Sequence, residues 1–212
     1  MADGLAAEVW ANLARKFDDV LFLSELRNRL QHHMAHVAPE TWIAMELAYF
    51  INRNADELGM REWAAILERK KVDVTLVPPG VDPAVQELPE ATQYLELKLV
   101  DSADWNRWKE VYQDLEGKGD KPPATYSVCF LIHAREAPWR RDDTTARHSA
   151  LFHSVPDQGP AQLTPLEDMP PLLATSILPV HRLTWDRPVV GRWPTRFEAD
   201  VRTVWVKQSR DR

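Results

Sequence analysis

One short apolar run, Ser127–Ile132 (Ser-Val-Cys-Phe-Leu-Ile), limits the possible folds more than any other feature of this sequence. A strand with one face in water alternates apolar and polar residues, whereas a strand covered on both faces is apolar throughout. A strand of the second kind needs packed layers on both sides of its sheet. The run therefore favours an α/β fold in which helices flank a sheet.

Hydrophobic periodicity predicts the other elements of this fold. Apolar residues recur at helical spacing in the N-terminal part, and the pattern changes to β-branched and alternating residues from Val72 onwards. Trp63–Leu67 fits either a short strand or a helical turn, and residues 134–172 predict a long loop. The predicted helices are residues 3–16, 20–36, 39 to about 54 and 103–116, and the predicted strands are Val72–Val77, Tyr94–Val100, Ser127–Ile132, Thr175–Val180 and Phe197–Lys207.

Composition and charge restrict the class of protein. The chain has 212 residues, a net charge of -6 and a single cysteine, Cys129. It has no apolar run near the roughly 20 residues that a membrane helix needs, and it begins without a signal-peptide pattern. We therefore expect a cytoplasmic protein with no membrane association. A mildly acidic chain does not bind polyanions through its overall charge, so any nucleic-acid contact needs local basic patches.

Two strands carry charged residues that strand geometry can bring together. Glu96 and Lys98 are two residues apart, so they project from the same face of the strand Tyr94–Val100. Asp73 can approach Glu96 if its strand, Val72–Val77, is the neighbour. Two adjacent carboxylates repel unless a cation joins them. An oxygen-rich pair beside a lysine is a plausible site for Mg²⁺ or Mn²⁺.

The helix that begins at Pro39 adds a third carboxylate. Glu46 has Trp42, Ile43, Tyr49 and Phe50 one turn away, so it lies on or beside the apolar stripe. A carboxylate in that position must be paired, bound to a cation or protonated, because burying it alone is costly. Glu46 is therefore a candidate to complete the coordination of the metal.

The order of these elements resembles the PD-(D/E)XK nuclease superfamily, which has the restriction-endonuclease-like fold. The resemblance covers residues 39–133: a helix with Glu46, a strand with Asp73, a strand with Glu96-Leu97-Lys98, a helix and the apolar strand. It implies three parts of the chain. These are an N-terminal helical extension (residues 1–38), a restriction-endonuclease-like core (39–133) and a C-terminal loop and β-rich appendage packing on the core (134–212).

The resemblance also implies a role for each residue of the motif. Asp73 and Glu96 would bind the metal with the backbone carbonyl of Leu97, Glu46 would support them, and Lys98 would orient or activate the attacking water. The chain departs from the family in one respect, since Val72 stands where many members have a proline. This position varies in the family.

The resulting hypothesis is a metal-dependent nuclease that hydrolyses phosphodiester bonds of DNA or RNA, with DNA favoured over RNA as the nucleic-acid partner. The basic residues that are candidates for contacting phosphates are Lys118, Lys121, Arg140 and Arg141. The enzyme would act alone, as a homodimer or inside a complex in which a protein partner holds the nucleic acid. The alternative is a non-catalytic interaction module that keeps the nuclease-like fold.

Overall fold

The computed structural model describes residues 5–23, 26–30, 39–69, 71–84, 87–101, 106–134, 160–186 and 196–209. Within these residues the helices are α1 (Ala7–Leu21), α2 (Pro39–Arg53), the single turn α3 (Ala55–Leu58) and α4 (Arg107–Glu116), and residues 26–30 are also helical. The strands are β1 (Ala64–Arg69), β2 (Val72–Val77), β3 (Gln93–Asp101), β4 (Tyr126–Ala134), β5 (Ala161–Leu163), β6 (Leu172–Asp186) and β7 (Arg196–Gln208).

The described strands form one mixed sheet in the order β1-β2-β3-β4-β7-β6-β5. Strands β3 and β4 are parallel, and the other neighbouring pairs are antiparallel. Parallel neighbours need a crossover connection, which α4 provides here. The structure confirms the predicted α/β class, with a mixed sheet flanked by helices.

Strand β4 is buried on both faces, as its apolar sequence predicts. Val128, Phe130 and Ile132 pack into the core beneath α1 and α2. Cys129 and Leu131, which point the other way, pack into the core that α4 covers. Alternate side chains of one strand thus contribute to two hydrophobic cores, which is why the run contains no charged residue.

Several element boundaries agree closely with the sequence prediction. Strand β2 has the predicted bounds, and α2 ends at Arg53, within the predicted range. The ambiguous segment Trp63–Leu67 contributes to strand β1, which pairs with β2. Residues 31–36 of the second predicted helix and residues 135–159 of the predicted loop (134–172) lie outside the described residues. The described part of that loop contains the short strand β5, which the sequence did not predict.

The C-terminal strands join the same sheet as the central ones. Strand β7 pairs with β4 from Ser127↔Val206 to Ala134↔Ala199, and β6 pairs with β7 in turn. The predicted β-rich segment is therefore hydrogen bonded to the central strands in addition to packing against them. In the part of the chain that the structure describes, no helix has the length and apolarity required to cross a membrane.

Candidate functional site

The candidate site forms where β2 and β3 separate. Their paired residues end at Val74↔Leu95, although β3 continues to Asp101. Beyond this pairing, the next N–H of β3 on the edge that faces β2 belongs to Leu97. It donates to Asp73 Oδ2 over 2.8 Å. A carboxylate thus takes the place of a strand carbonyl, which satisfies a main-chain donor that the divergence would otherwise leave without a partner.

A second carboxylate accepts the following N–H on the same edge. Glu40, in the first turn of α2, accepts the N–H of Leu99 over 2.7 Å. Arg107 at the start of α4 lies 2.7 Å from the same oxygen of Glu40 and 2.6 Å from Glu110. The edge of β3 is therefore lined by Asp73 and Glu40, and Arg107 balances part of their charge.

The structure places the predicted helix carboxylate elsewhere. Glu46 Oε1 lies 3.9 Å from Arg29 Nη1, and the carboxylate of α2 that reaches β3 is Glu40. The prediction of Glu46 is corrected by this geometry. A sequence signal for Glu40 did exist: it precedes the buried Ile43 and Leu47 by three and seven positions, so it shares their helix face.

Glu96 and Lys98 project from one face of β3, as the alternation predicts, and meet two further charged residues there. Lys98 Nζ lies 3.7 Å from Glu96 Oε2 and 3.0 Å from Asp114 Oδ2. Lys121 Nζ lies 2.8 Å from Glu96 Oε1 and 2.7 Å from Asp114 Oδ1. These four residues, here named the lysine–carboxylate ring, alternate in charge. Asp114 was not among the predicted site residues, and Lys121 was predicted to contact phosphates.

Burial alters the acidity of the carboxylate in this ring. Glu96 is only 2% exposed, and burial raises its pKa to about 7. The hydrogen bond from Lys121 opposes this rise, while the nearby charges of Asp73 and Asp114 add to it. Asp73 accepts the N–H of Leu97, the residue next to Glu96, so the two predicted metal ligands occupy neighbouring positions along β3.

The same neighbours keep Lys98 charged. Burial alone would lower the pKa of Lys98, but the carboxylates of Asp114, Glu96 and Glu40 raise it above its ordinary value. An ammonium group can orient water or stabilise negative charge, but it cannot accept a proton. In this arrangement Lys98 suits charge stabilisation and water orientation, and does not suit the role of general base.

The donor atoms present fit the chemistry of a small hard cation. The N–H and C=O of one strand residue point to the same edge, so the carbonyl of Leu97 shares its edge with the N–H that Asp73 accepts. Mg²⁺ is commonly held by one or two carboxylates and keeps several of its waters. Among the described residues no group of three or more His, Cys, Asp and Glu is arranged to hold a metal ion. Asp73 and Glu96 supply two carboxylates, and both oxygens of Glu96 face lysine amines.

The other predicted contacts have different positions. Lys118 is exposed on the turn after α4. The side chain of Lys121 is only 18% exposed, and its amine pairs with carboxylates of the lysine–carboxylate ring. Arg140 and Arg141 lie outside the described residues. The described structure thus offers Lys118 as a candidate for contacting a phosphate.

Comparison with known proteins gives no assignment. No protein family, curated protein or solved structure matches this chain. The function has to be inferred from the geometry of the site.

Proposed function

We propose that this protein is a metal-dependent nuclease that hydrolyses phosphodiester bonds, with DNA as a more suitable substrate than RNA. The observation that carries the proposal is the position of Asp73, which accepts the N–H of Leu97, the residue between Glu96 and Lys98. The amine of Lys98 lies 3.7 Å from Glu96. Neighbouring carboxylates repel each other unless a cation joins them, and Mg²⁺ suits their oxygen atoms.

The order of elements supports the proposed restriction-endonuclease-like fold. Helix α2 precedes β2, which carries Asp73; β3 carries Glu96, Leu97 and Lys98; α4 and β4 follow. The parallel pairing of β3 with β4 through α4 brings the N-terminal ends of these two strands to the same end of the sheet. This is the sequence of elements on which the resemblance to the PD-(D/E)XK superfamily depends.

The chain's own residues account for most of the proposed mechanism. Asp73, Glu96 and the carbonyl of Leu97 would hold the cation, and Glu40 and Arg107 would fix the edge of β3 on which these ligands lie. The bound Mg²⁺ or Mn²⁺ would stabilise charge on the phosphoryl group and acidify a water molecule. Lys98, kept protonated by its neighbours, would orient the attacking water and stabilise the charge that develops as it attacks.

The acidic character of the chain supports a nuclease that works with a partner. The net charge is -6, and Arg107 and Lys121 are both engaged by carboxylates. Binding to phosphates would therefore depend on Lys118 and on basic groups supplied from elsewhere. A protein partner or a second copy that holds the nucleic acid would supply them.

One observation favours a second candidate, a non-catalytic interaction module. Both oxygens of Glu96 face lysine ammonium groups, so the ring is compensated without a metal. A protein that had lost catalysis would retain such a ring as part of its core. Metal binding distinguishes the two candidates, since only a nuclease needs Glu96 to be available to a cation.

The test combines metal binding with cleavage. Purified protein is titrated with Mn²⁺ by calorimetry and incubated with Mg²⁺ and labelled single-stranded DNA, duplex DNA or RNA. Asp73→Asn should abolish Mn²⁺ binding but retain an acceptor oxygen for the N–H of Leu97, so the fold is kept. Lys98→Met should lower cleavage by about 10² or more, the usual effect of removing one group that stabilises the transition state.

Glu46→Gln is the matched control, because it removes a carboxylate of α2 that pairs with Arg29. It should bind Mn²⁺ and cleave like the unchanged protein. Cleavage that persists undiminished in Asp73→Asn and Lys98→Met would refute the proposal. The absence of Mn²⁺ binding by the unchanged protein would favour the interaction module.

A further inference from the structure

The turn between α4 and β4 holds Lys121 in a defined position. The main chains of Lys118 and Lys121 exchange two hydrogen bonds of 3.2 and 3.1 Å. Gly117 has a φ of 78°, and a Cβ atom there would lie 2.8 Å from the nitrogen of Pro123. Only glycine fits that position, so the chain closes tightly before Lys121. This places the Lys121 amine in the lysine–carboxylate ring.

The contacts of the Lys121 amine conflict with a metal ion on Glu96. The amine lies 2.8 Å from Glu96 Oε1, and that of Lys98 lies 3.7 Å from the other oxygen. Mg²⁺ must come within 2.0–2.1 Å of a ligand oxygen, where an adjacent ammonium group would repel it. A metal can reach Glu96 only when one of these amines moves away.

Lys121 is the amine that is more closely paired with Glu96 and has a second carboxylate as a partner. It makes the closer contact with Glu96, and its second partner, Asp114, lies 2.7 Å away. Lys121 can therefore leave Glu96 and remain paired with Asp114. Lys98 is attached to β3 two residues from Glu96, which limits how far its amine can withdraw.

We propose that Lys121 is a resident counter-ion that competes with the divalent metal for Glu96 and moves onto Asp114 alone when the metal binds. This inference rests on the proposed metal site and adds a residue that sets the affinity of that site. Lys121 is thus a positioning residue that acts through Glu96, while Asp114 is the acceptor that keeps its charge paired in both states.

The first experiment measures Mn²⁺ affinity by calorimetry in three full-length proteins. Lys121→Met should bind Mn²⁺ at least tenfold more tightly than the unchanged protein. Lys118→Met removes the same charge from the same turn, but from an exposed side chain, and should bind as the unchanged protein does. The comparison separates competition at Glu96 from the general effect of removing a positive charge.

The outcomes distinguish this inference from the proposed function. Equal or weaker binding by Lys121→Met would overturn the competition and leave the metal site standing. If none of the three proteins binds Mn²⁺, both the metal site and the competition are refuted.

A second experiment needs no variant and applies even if Lys121→Met fails to fold. The unchanged protein is treated briefly with acetic anhydride, with and without saturating Mn²⁺, and acetylation of each lysine is measured by mass spectrometry. Mn²⁺ should change the acetylation of Lys121 several-fold and leave that of the exposed Lys118 unchanged. No change at Lys121, with Mn²⁺ binding shown by calorimetry, would overturn the proposal.

Discussion

At the scale of single residues, the site combines carboxylates that have different tasks. Asp73 and Glu40 accept main-chain N–H groups of β3, whereas Glu96 lies buried between two lysines. The first two are needed for the fold of the strand edge. Because burying the carboxylate of Glu96 is costly, replacing Glu96 is a sensitive probe of the site.

Replacing Glu96 should change how stability depends on pH. Its pKa is raised to about 7 in the folded protein from an ordinary value of 4.5, so the folded state holds the proton more tightly. This carboxyl therefore supports the fold fully below pH 4.5, and the support is lost as the pH rises to 7. Between pH 4.5 and pH 8, the stability of Glu96→Gln should rise by on the order of 3 kcal/mol relative to that of the unchanged protein.

Urea unfolding at pH 4.5, 6 and 8 measures this difference. Glu90→Gln, which changes an exposed carboxylate, is the control and should follow the unchanged protein at each pH. A constant difference between Glu96→Gln and the unchanged protein across this range would show that Glu96 is not buried as described.

Replacing Glu40 should affect stability more than replacing Glu46. Glu40→Ala leaves the N–H of Leu99 without its acceptor and removes one of the acceptors of Arg107, at a cost of about 1–3 kcal/mol in the free energy of unfolding. Glu46→Ala removes only a long ion pair of 3.9 Å and should cost under about 1 kcal/mol. Thermal unfolding followed by circular dichroism measures both, and the reverse order would contradict the assignment of Glu40.

The sequence predicted three members of this site and missed others for a physical reason. Glu96 and Lys98 share a face because of strand alternation, and Asp73 follows from the adjacency of the two strands. Glu40 and Asp114 depend on how α2 and α4 dock on the sheet. Local periodicity places a residue on a face of its helix, but it does not say which strand that face will meet.

At the scale of elements, β4 and α4 bring the site together. Strand β4 separates the two cores, and α4 crosses between β3 and β4 with Asp114 on its buried side. The apolar sequence of β4 predicted its burial correctly. The parallel direction of β4 relative to β3 follows from the crossover that α4 makes.

The burial of β4 should protect its cysteine from reaction. Burial raises the pKa of the Cys129 thiol to about 12, so its thiolate fraction at pH 8 is about a thousandfold smaller than that of an ordinary cysteine. A thiol-specific maleimide should therefore leave the folded protein unlabelled and react fully in 8 M urea. Rapid labelling of the folded protein would show that β4 opens readily.

At the scale of the whole molecule, the N-terminal helix, the central strands and the C-terminal strands share one core. Trp205 of β7 is buried, and its ring lies 6.1 Å from that of Trp10 on α1 and 6.2 Å from that of Tyr126 on β4. The sequence predicted strands in the C-terminal region. It did not reveal that β7 pairs with β4, because this pairing joins segments more than 60 residues apart.

Truncating Trp205 should destabilise the entire molecule. Trp205→Ala removes a buried indole and leaves a cavity, and we expect a loss of about 3–5 kcal/mol in the free energy of unfolding. Trp205→Phe keeps part of the ring and should lose less. Urea unfolding followed by far-ultraviolet circular dichroism and by tryptophan fluorescence should give coincident transitions, whereas separate transitions would show that the C-terminal strands unfold independently.

The main-chain contact of Asp73 has a consequence for the evolution of the site. The same carboxylate closes a gap in the sheet and is a proposed ion ligand, so most substitutions there would harm architecture and chemistry together. Asparagine is the exception, because its oxygen preserves the architectural contact. A homologue without the proposed activity would therefore be able to carry Asn in place of Asp73 and keep the same fold, so the residue at this position would separate metal-binding from non-binding homologues.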